Sequence, residues 1–296
     1  MFQNILGNEK IKNLLIKSVN DNKISHSYLF LGMDGIGKKL IADEFAKMIL
    51  CTGENKYCDI CKSCIEFETS NNPDFKIIEP DGNSIKIEQI RQVQNKIAEK
   101  PIISDKKVYI IRDSDKMTVE AQNCLLKTLE EPPEYVVIIL IGSNENMFLS
   151  TIKSRCMILH FDRINNKDII EYLNKNSNTV INSDIMLDAC QGSIGKAVEI
   201  VKKQDEYEKI ENIINSMENE NIIDIMNKAE IIYKSKDDKF EILEYINVVL
   251  SNLMTKNIKF ANCISIVEDT KKRLLTNTNY DMCIDNMLLN MWEKVN

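Results

Sequence analysis

The segment of residues 32–38 combines glycines and a lysine in the spacing G-x-x-x-x-G-K. Gly32, Gly35 and Gly37 would let backbone N–H groups wrap around a phosphate, and Lys38 would reach the terminal phosphates. A helix that begins at Lys38 would add a favourable dipole for the anion. The segment therefore predicts a phosphate loop for a nucleotide such as ATP or ADP. A glycine-rich turn without a ligand is the alternative.

Two positions that ATP hydrolysis needs depart from this pattern. An active loop continues with Ser or Thr, whose hydroxyl binds Mg²⁺, but Lys39 follows here and its ammonium would repel the cation. The downstream strand in residues 107–116 should end in metal-binding carboxylates, and Arg112 and Asp113 stand at those places. Asp113 or Asp115 could restore some metal binding. The sequence predicts inefficient hydrolysis and leaves nucleotide binding open.

Four cysteines lie close together at Cys51, Cys58, Cys61 and Cys64, a segment that we call the cysteine knuckle. Four thiolates at such short spacings can complete a tetrahedral Zn²⁺ site with no open position, which is typical of a structural metal. An iron–sulfur cluster also uses four cysteines. The spacing differs from the ferredoxin pattern, so the sequence favours structural zinc.

These residues need a scaffold, and the apolar pattern predicts one. Short apolar runs alternate with helical patterns through the first half of the chain, which favours a doubly wound α/β domain with a parallel sheet. The longest run, residues 135–143, predicts a central strand that is buried on both faces. The predicted strands cover residues 27–32, 75–78, 108–113, 135–143 and 157–161.

Strand patterns stop near residue 164, and helical patterns follow. Three short helices are predicted within residues 165–204, and apolar residues at helical spacing continue from about residue 206. The sequence thus predicts three parts. They are an α/β domain over residues 1–164, a small helical domain over residues 165–204 and an all-helical domain over residues 205–296.

Charge and hydropathy exclude several classes of protein. The formal net charge is −7 at pH 7, of which about −1 lies in the first 164 residues, so an independent duplex-DNA binder with a basic surface is disfavoured. No apolar run approaches the roughly 18 residues that span a bilayer. The first residues also lack the basic and apolar stretch of a signal peptide. We expect a cytoplasmic protein without a membrane segment.

Several motifs occur in an order that resembles one known family. They are the phosphate loop, the cysteine knuckle, NNPDFKIIEPDG (71–82), SIKIEQIRQV (84–93), KVYIIRDSDKMT (107–118), AQNCLLKTLEEPP (121–133), ILIGSN (139–144) and STIKSRC (150–156). This order resembles the bacterial sliding-clamp loader subunits of DNA polymerase III, and the delta prime type more than the tau/gamma type. The resemblance covers about residues 1–200. It implies an AAA+ domain, a small helical lid and a C-terminal helical collar.

The resemblance also implies roles for individual residues. Arg155, in the Ser-Arg-Cys segment, would act as an arginine finger in the nucleotide site of a neighbouring subunit. Lysine is a poor substitute for such a planar guanidinium, and the chain has 33 Lys but only 5 Arg. Ser143 and Asn144 resemble a position that senses the third phosphate, or they cap the next helix. Lys196 resembles the phosphate-sensing position of the lid.

The function that this resemblance implies is that of a non-motor clamp-loader subunit. Such a subunit assembles with the tau/gamma ATPase and delta subunits, and helps to load the sliding clamp on primed DNA. An active ATPase of the tau/gamma type is an alternative that Lys39 and Arg112 disfavour. A nucleotide kinase would need intact metal ligands and an acceptor pocket, and a stand-alone zinc nucleic-acid-binding module would need basic residues around the knuckle.

Overall fold

The computed structural model describes residues 2, 5–176, 181, 183–276 and 278–296. The chain divides into two compact units, Met1–Asp168 and Ile169–Asn296. The finer division into domains over residues 1–164, 165–204 and 205–296 stays a prediction.

The first unit is built on a five-stranded sheet. All strand pairs are parallel, and the spatial order is β2-β3-β4-β1-β5. The central strand β4 is buried along its whole length because its side chains are apolar on both faces. The strands are β1 (Ser27–Leu31), β2 (Phe75–Ile78), β3 (Lys107–Ile111), β4 (Val136–Gly142) and β5 (Met157–His160).

Helices cover both faces of the sheet, and alternate residues of each strand enter two separate cores. On one face, Tyr28 and Phe30 of β1 pack in a cluster that includes Phe45, and the Tyr28 and Phe45 rings meet edge to face at 5.1 Å. On the other face, Leu29 packs in a cluster with Leu125. The helices of this unit are α1 (Glu9–Asn20), α2 (Lys38–Leu50), α3 (Lys62–Glu68), α4 (Ile87–Ile97), α5 (Val119–Glu130) and α6 (Ser150–Lys153).

The predicted fold class, a parallel α/β phosphate-loop domain followed by helices, is confirmed. Four strand ends were predicted one or two residues too far along the chain, and the largest difference is in β3. Strand β3 ends at Ile111, whereas the prediction extended it to residue 113. The backbone of Asp113 has a φ of 48°, a left-handed conformation that strands do not adopt. The chain therefore turns out of the sheet where the apolar run ends.

The second unit is helical in every segment that the structure assigns. Helix α13 lies in its core, where Ile242, Ile246 and Val249 are fully buried. None of the helices in the described ranges has the length and apolar character needed to cross a membrane. The helices are α7 (Asn166–Asn176, which begins in the first unit), α8 (Asp184–Ala189), α9 (Ile194–Lys202), α10 (Gln204–Asn215), α11 (Ile222–Lys228), α12 (Glu230–Lys234), α13 (Lys239–Met254), α14 (Ala261–Leu274) and α15 (Tyr280–Val295).

Candidate functional site

The phosphate loop connects the carboxyl end of β1 to the first residue of α2, as predicted. Gly37, which precedes the helix, has a φ of 94°, which disfavours any residue with a Cβ atom. A Cβ atom on Gly32 would lie 2.7 Å from Cδ1 of Ile36 and 2.9 Å from the carbonyl oxygen of Phe161. The two glycines therefore permit a tight turn that points the helix amino terminus into the loop.

Lys38 is buried inside this loop. Its ammonium donates hydrogen bonds to the carbonyl oxygens of Gly32 and of Met33, the latter at 2.7 Å, and lies 3.5 Å from Oδ1 of Asp34. Burial lowers the pKa of Lys38, and the neighbouring carboxylate of Asp34 opposes that shift. The loop thus holds its own cation in place, where an anionic ligand would gain from the desolvated charge.

The two predicted metal-side positions are joined by an ion pair. The Nζ atom of Lys39 lies 3.0 Å from Oδ1 of Asp113, and both side chains are partly exposed. An active phosphate-loop enzyme has a hydroxyl and a carboxylate for Mg²⁺ at such positions. Here the ammonium already neutralises the carboxylate and would repel a divalent cation. The loss of the metal site itself stays a prediction.

Arg112 makes contacts that the sequence did not predict. Its guanidinium lies 2.8 Å from Oδ2 of Asp43 on α2 and 2.9 Å from Oε1 of Glu79, which follows β2. Burial raises the pKa of Asp43, and the charge of Arg112 opposes the shift. Arg112 therefore connects helix α2 to the edge of the sheet. No sequence pattern pairs these three residues, because they come from separate segments.

Asp115 organises the end of β4. Its buried Oδ2 atom accepts hydrogen bonds from the backbone N–H of Ser143 at 3.1 Å, the hydroxyl of Ser143 at 2.9 Å and the backbone N–H of Asn144 at 3.0 Å. The side chain of Asn144 accepts from the N–H of Asn146 and caps the short 3₁₀ turn Glu145–Met147. The capping role of Asn144 is therefore observed, and phosphate sensing by Ser143 and Asn144 stays a prediction.

The cysteine knuckle brings all four predicted ligands together. The sulfur atoms of Cys51, Cys58, Cys61 and Cys64 lie within 4.8 Å of one another. The Cys51 sulfur is 3.6 Å from that of Cys58 and 4.0 Å from that of Cys61. Tetrahedral zinc with bonds of about 2.3 Å requires sulfur atoms about 3.8 Å apart. The cluster could therefore hold one metal ion.

Hydrogen bonds to the Cys61 sulfur favour its thiolate form, whereas burial and the Cys61 side chain raise the pKa of Cys64. The backbone N–H of Cys61 donates to the Cys58 sulfur, and that of Cys64 donates to the Cys61 sulfur. Burial alone would raise the pKa of Cys61, but hydrogen bonds from Thr52 and Cys64 lower the pKa to about 5. Backbone N–H groups thus form an outer shell around the sulfur atoms.

A buried lysine attaches the knuckle to the phosphate-loop helix. The ammonium of Lys47, on α2, pairs with Asp59 at 2.5 Å and with Glu68, and it lies 4.8 Å from the centre of the Tyr57 ring. Burial opposes protonation, but the two carboxylates raise the pKa of Lys47. Lys47 was not singled out from the sequence. The signal would have been a lysine on the otherwise buried face of a helix.

Arg155 lies on the surface of the first unit, in the turn between α6 and β5. Its Nη2 atom is 2.8 Å from Oε1 of Glu130, the last residue of α5. Its Nη1 atom donates to the carbonyl oxygen of Thr151 at 3.0 Å and to the hydroxyl of Ser154 at 3.2 Å. The carbonyl oxygen of Arg155 accepts from the buried hydroxyl of Ser27. The side chain is about one-third exposed, at 34%.

Lys196 belongs to the second unit. Its backbone N–H donates to the Ser193 hydroxyl, which caps the start of α9. Its ammonium lies 3.5 Å from Oε2 of Glu244 on α13. These contacts stabilise packing within the second unit, and the predicted phosphate-sensing role stays a prediction.

Comparison with known proteins places the chain in a family. Residues 7–165, just over half of the chain, match the model of the family described as DNA polymerase III, delta subunit. The chain belongs to this family. The matched region includes the phosphate loop, the cysteine knuckle and Arg155. The resemblance stated from the motifs is therefore confirmed for the first unit.

Individual relatives include two subunit types of DNA polymerase III. The delta prime subunit of Bacillus subtilis is 39% identical over 165 residues, which cover 55% of this chain and 50% of that protein. The gamma/tau subunit of Mycoplasma genitalium is 33% identical over 220 residues, which cover 72% of this chain and 37% of that protein. The chain thus spans half or less of the length of these relatives.

A solved structure supports the fold over almost the whole chain. A gamma subunit-related protein of DNA polymerase III from Thermotoga maritima has a TM-score of 0.52 and 17% identity. The match covers 97% of this chain and 99% of that chain. At this identity the likeness concerns the fold alone, and it confirms the AAA+ fold class predicted from the motifs.

Proposed function

We propose that this chain is a non-motor subunit of a DNA polymerase III clamp loader, of the delta prime type. It places Arg155 in the ATP site of a neighbouring ATPase subunit and so promotes hydrolysis there. The complex then uses that hydrolysis to load a sliding clamp on primed DNA. In this proposal the chain belongs to the polymerase holoenzyme and does not hydrolyse ATP efficiently by itself.

The position of Arg155 carries the proposal. Its carbonyl oxygen is bonded to Ser27, the first residue of β1, whereas the phosphate loop follows Leu31, the last residue of that strand. Four residue steps of a strand correspond to about 13 Å. Arg155 therefore lies near the amino end of β1, whereas Lys38 lies beyond its carboxyl end. The distance between them is longer than an extended arginine side chain. A finger at this place can only serve a nucleotide bound by another subunit.

The state of the chain's own loop supports the same conclusion. The ion pair between Lys39 and Asp113 occupies the two positions that would hold Mg²⁺, and Arg112 is engaged by Asp43 and Glu79. Phosphoryl transfer in phosphate-loop proteins depends on that metal ion. A subunit with this loop contributes to hydrolysis by donating a group rather than by binding the reacting nucleotide.

The cysteine knuckle is proposed to hold a structural zinc ion. The sulfur spacing suits a single tetrahedral ion. A four-iron cluster would need a wider ring of sulfur atoms, because its own core must fit between them. Cys51, Cys58, Cys61 and Cys64 leave no position for water, so the ion would stabilise the fold of the knuckle and take no part in a reaction.

The helical second unit is proposed to contain the lid and the collar. The collar, from about residue 205, would hold the chain against the tau/gamma and delta subunits. Its apolar surface residues, such as Ile258 and Leu275, are more than three-quarters exposed and are available for such contacts. The net charge of −7 agrees with DNA contacts that the whole complex shares.

The test is ATP hydrolysis by the reconstituted complex, stimulated by clamp and primed DNA at fixed Mg²⁺ and salt. We expect the isolated chain to be inactive and the complex of tau/gamma and delta to gain activity when the chain is added. Arg155→Ala should remove most of the gain, because an arginine finger accelerates hydrolysis by about 10³–10⁵-fold. Arg155→Lys should restore little, since lysine lacks the planar fork.

The control is Arg163→Ala, which removes a guanidinium close in sequence and should leave the gain unchanged. Gel filtration of each complex checks that assembly is intact. Hydrolysis by the isolated chain that Lys38→Ala abolishes would overturn the proposal and identify an active ATPase. Full stimulation by Arg155→Ala would remove the finger role.

A further inference from the structure

We propose that Glu130 is a positioning residue for Arg155, which it holds in the orientation needed to reach the neighbouring nucleotide. The inference rests on the proposed arginine-finger function and adds the residue that presents the finger. Glu130 lies at the carboxyl end of α5 and its Oε1 atom is 2.8 Å from Nη2 of Arg155. The two residues are 25 positions apart in sequence, so only the fold brings them together.

Glu130 stands at a place where its charge is locally unfavourable. The last turn of a helix carries a partial negative charge, which disfavours a carboxylate there. Glu130 alone therefore does not stabilise helix α5. The only ion pair found for Glu130 among the described residues is with Arg155. The pairing with Arg155 therefore explains why an acid stands at this helix end.

The pair leaves part of the guanidinium free. Arginine has five N–H groups in a fixed fork. Nη1 donates to Thr151 and Ser154, while Nη2 faces Glu130 as an ion pair without hydrogen-bond geometry, so the described hydrogen bonds do not use the N–H groups of Nη2 and Nε. The side chain is thereby ordered before a neighbour arrives. An unordered arginine would lose more side-chain conformational freedom when it meets the phosphate.

The helix that carries Glu130 is itself linked to the segment that carries Arg155. The buried side chain of Gln122, on α5, donates to the carbonyl oxygen of Met147 and accepts from the N–H of Leu149, just before α6. These bonds set the distance between α5 and α6. Glu130 and Arg155 therefore lie on two segments that these hydrogen bonds connect.

The test uses the full complex and measures kcat and KM for ATP. Glu130→Ala should lower the stimulated kcat about threefold to fivefold with KM unchanged, which corresponds to the loss of a partly exposed ion pair. Glu130→Gln keeps an oxygen that can accept a hydrogen bond, and should retain more than half of the activity. Glu131→Ala is the matched control, because this exposed neighbour makes no described contact with Arg155 and should leave kcat unchanged.

A double-variant cycle separates positioning from a general effect on folding. In the Arg155→Ala background, Glu130→Ala should cause no further loss, because Glu130 acts only through Arg155. A further loss of the same size in that background would overturn the inference and show a structural role. Unchanged or increased kcat for Glu130→Ala alone, with Arg155→Ala impaired, would also overturn it. Normal kcat for Arg155→Ala would instead refute the finger function itself.

Discussion

Asp115→Ala is expected to destabilise the first unit because it removes the acceptor that holds the end of β4. One carboxylate oxygen, Oδ2, receives three hydrogen bonds from Ser143 and Asn144 at 2.9–3.1 Å, and the Asp115 side chain is buried. The substitution leaves two backbone N–H groups of the β4 turn without this acceptor. Ser143 and Asn144 are exposed, so water can replace the lost acceptor and each bond counts only at its net value.

The magnitude follows from these contacts. A net contribution of about 1 kcal/mol for each of the three bonds gives a loss of about 3 kcal/mol in the free energy of unfolding. Asp115→Asn retains one side-chain oxygen as an acceptor and should cost about half as much. The control is Asp113→Asn, because Asn tolerates the left-handed backbone of Asp113 and the change removes only its partly exposed ion pairs with Lys39 and Lys116. Such pairs contribute at most about 1 kcal/mol.

The assay must report on the first unit. Trp292, the only tryptophan in the chain, lies in the second unit, so its fluorescence does not report on unfolding of the first unit. Hydrogen exchange measured by mass spectrometry on peptides that cover β4 gives the opening free energy directly. A loss of about 3 kcal/mol corresponds to exchange that is faster by about a hundredfold, since each tenfold change is about 1.4 kcal/mol.

Equal acceleration of exchange in β4 by Asp115→Ala and Asp113→Asn would contradict this assignment. Equal effects would mean that the three hydrogen bonds of Asp115 are worth no more than an exposed ion pair. A loss confined to peptides far from β4 would contradict the local role that the structure assigns to this carboxylate.

Two further predictions concern the metal and the buried lysine. The purified chain should contain one equivalent of zinc by elemental analysis, and Gly53→Ala should weaken zinc affinity about 10- to 100-fold in a chelator competition, because the added Cβ atom would lie 2.8 Å from the Cys58 sulfur. For Lys38, burial lowers the pKa in the folded state below its ordinary value of 10.5, so the charged form costs stability at neutral pH. Comparison of wild type with Lys38→Met in chemical denaturation should therefore show the wild type gaining relative stability as the pH rises towards 10.5, since the unfolded state binds more protons in that interval.

Each of these has a control or a contrary outcome. Gly82→Ala adds a Cβ atom with nothing within 4 Å; the φ of 68° makes the change locally strained, but this strain lies outside the cysteine knuckle and should leave zinc affinity unchanged. Two iron atoms or more per chain, with sulfide, would exclude the zinc assignment. A stability difference between wild type and Lys38→Met that stays constant from pH 7 to 10.5 would mean that burial does not perturb Lys38.

Local sequence patterns were sufficient to predict the strands, the phosphate loop and the cysteine knuckle of this protein. The run in residues 135–143 is apolar on both faces of a strand, and it forms the buried central strand β4. The phosphate loop and the four cysteines are also local, since each set lies within 14 residues, and chain connectivity alone limits their separation. The strand end at Ile111 was predicted two residues late because Arg112 and Asp113 continue the pattern without continuing the extended backbone.

The partners of the charged side chains depended on the tertiary structure. Asp115 was considered only as a metal ligand, but the parallel pairing of β3 and β4 brings it to Ser143. Arg112 meets Asp43 across 69 residues of sequence. No periodic pattern in the sequence predicts such pairs, because the two residues come from segments that meet only when the sheet forms.

The sequence by itself determined the fold class, the phosphate loop, the cysteine cluster and the family, since each depends on residue types at short and regular spacing. The predicted parallel strands already separate the phosphate loop, which follows a strand, from Arg155, which precedes one, because parallel strands have their amino ends on the same side. Only the tertiary structure decided that Glu130 stands beside Arg155. The end of α5 and the turn before β5 meet only when the helices pack on the sheet.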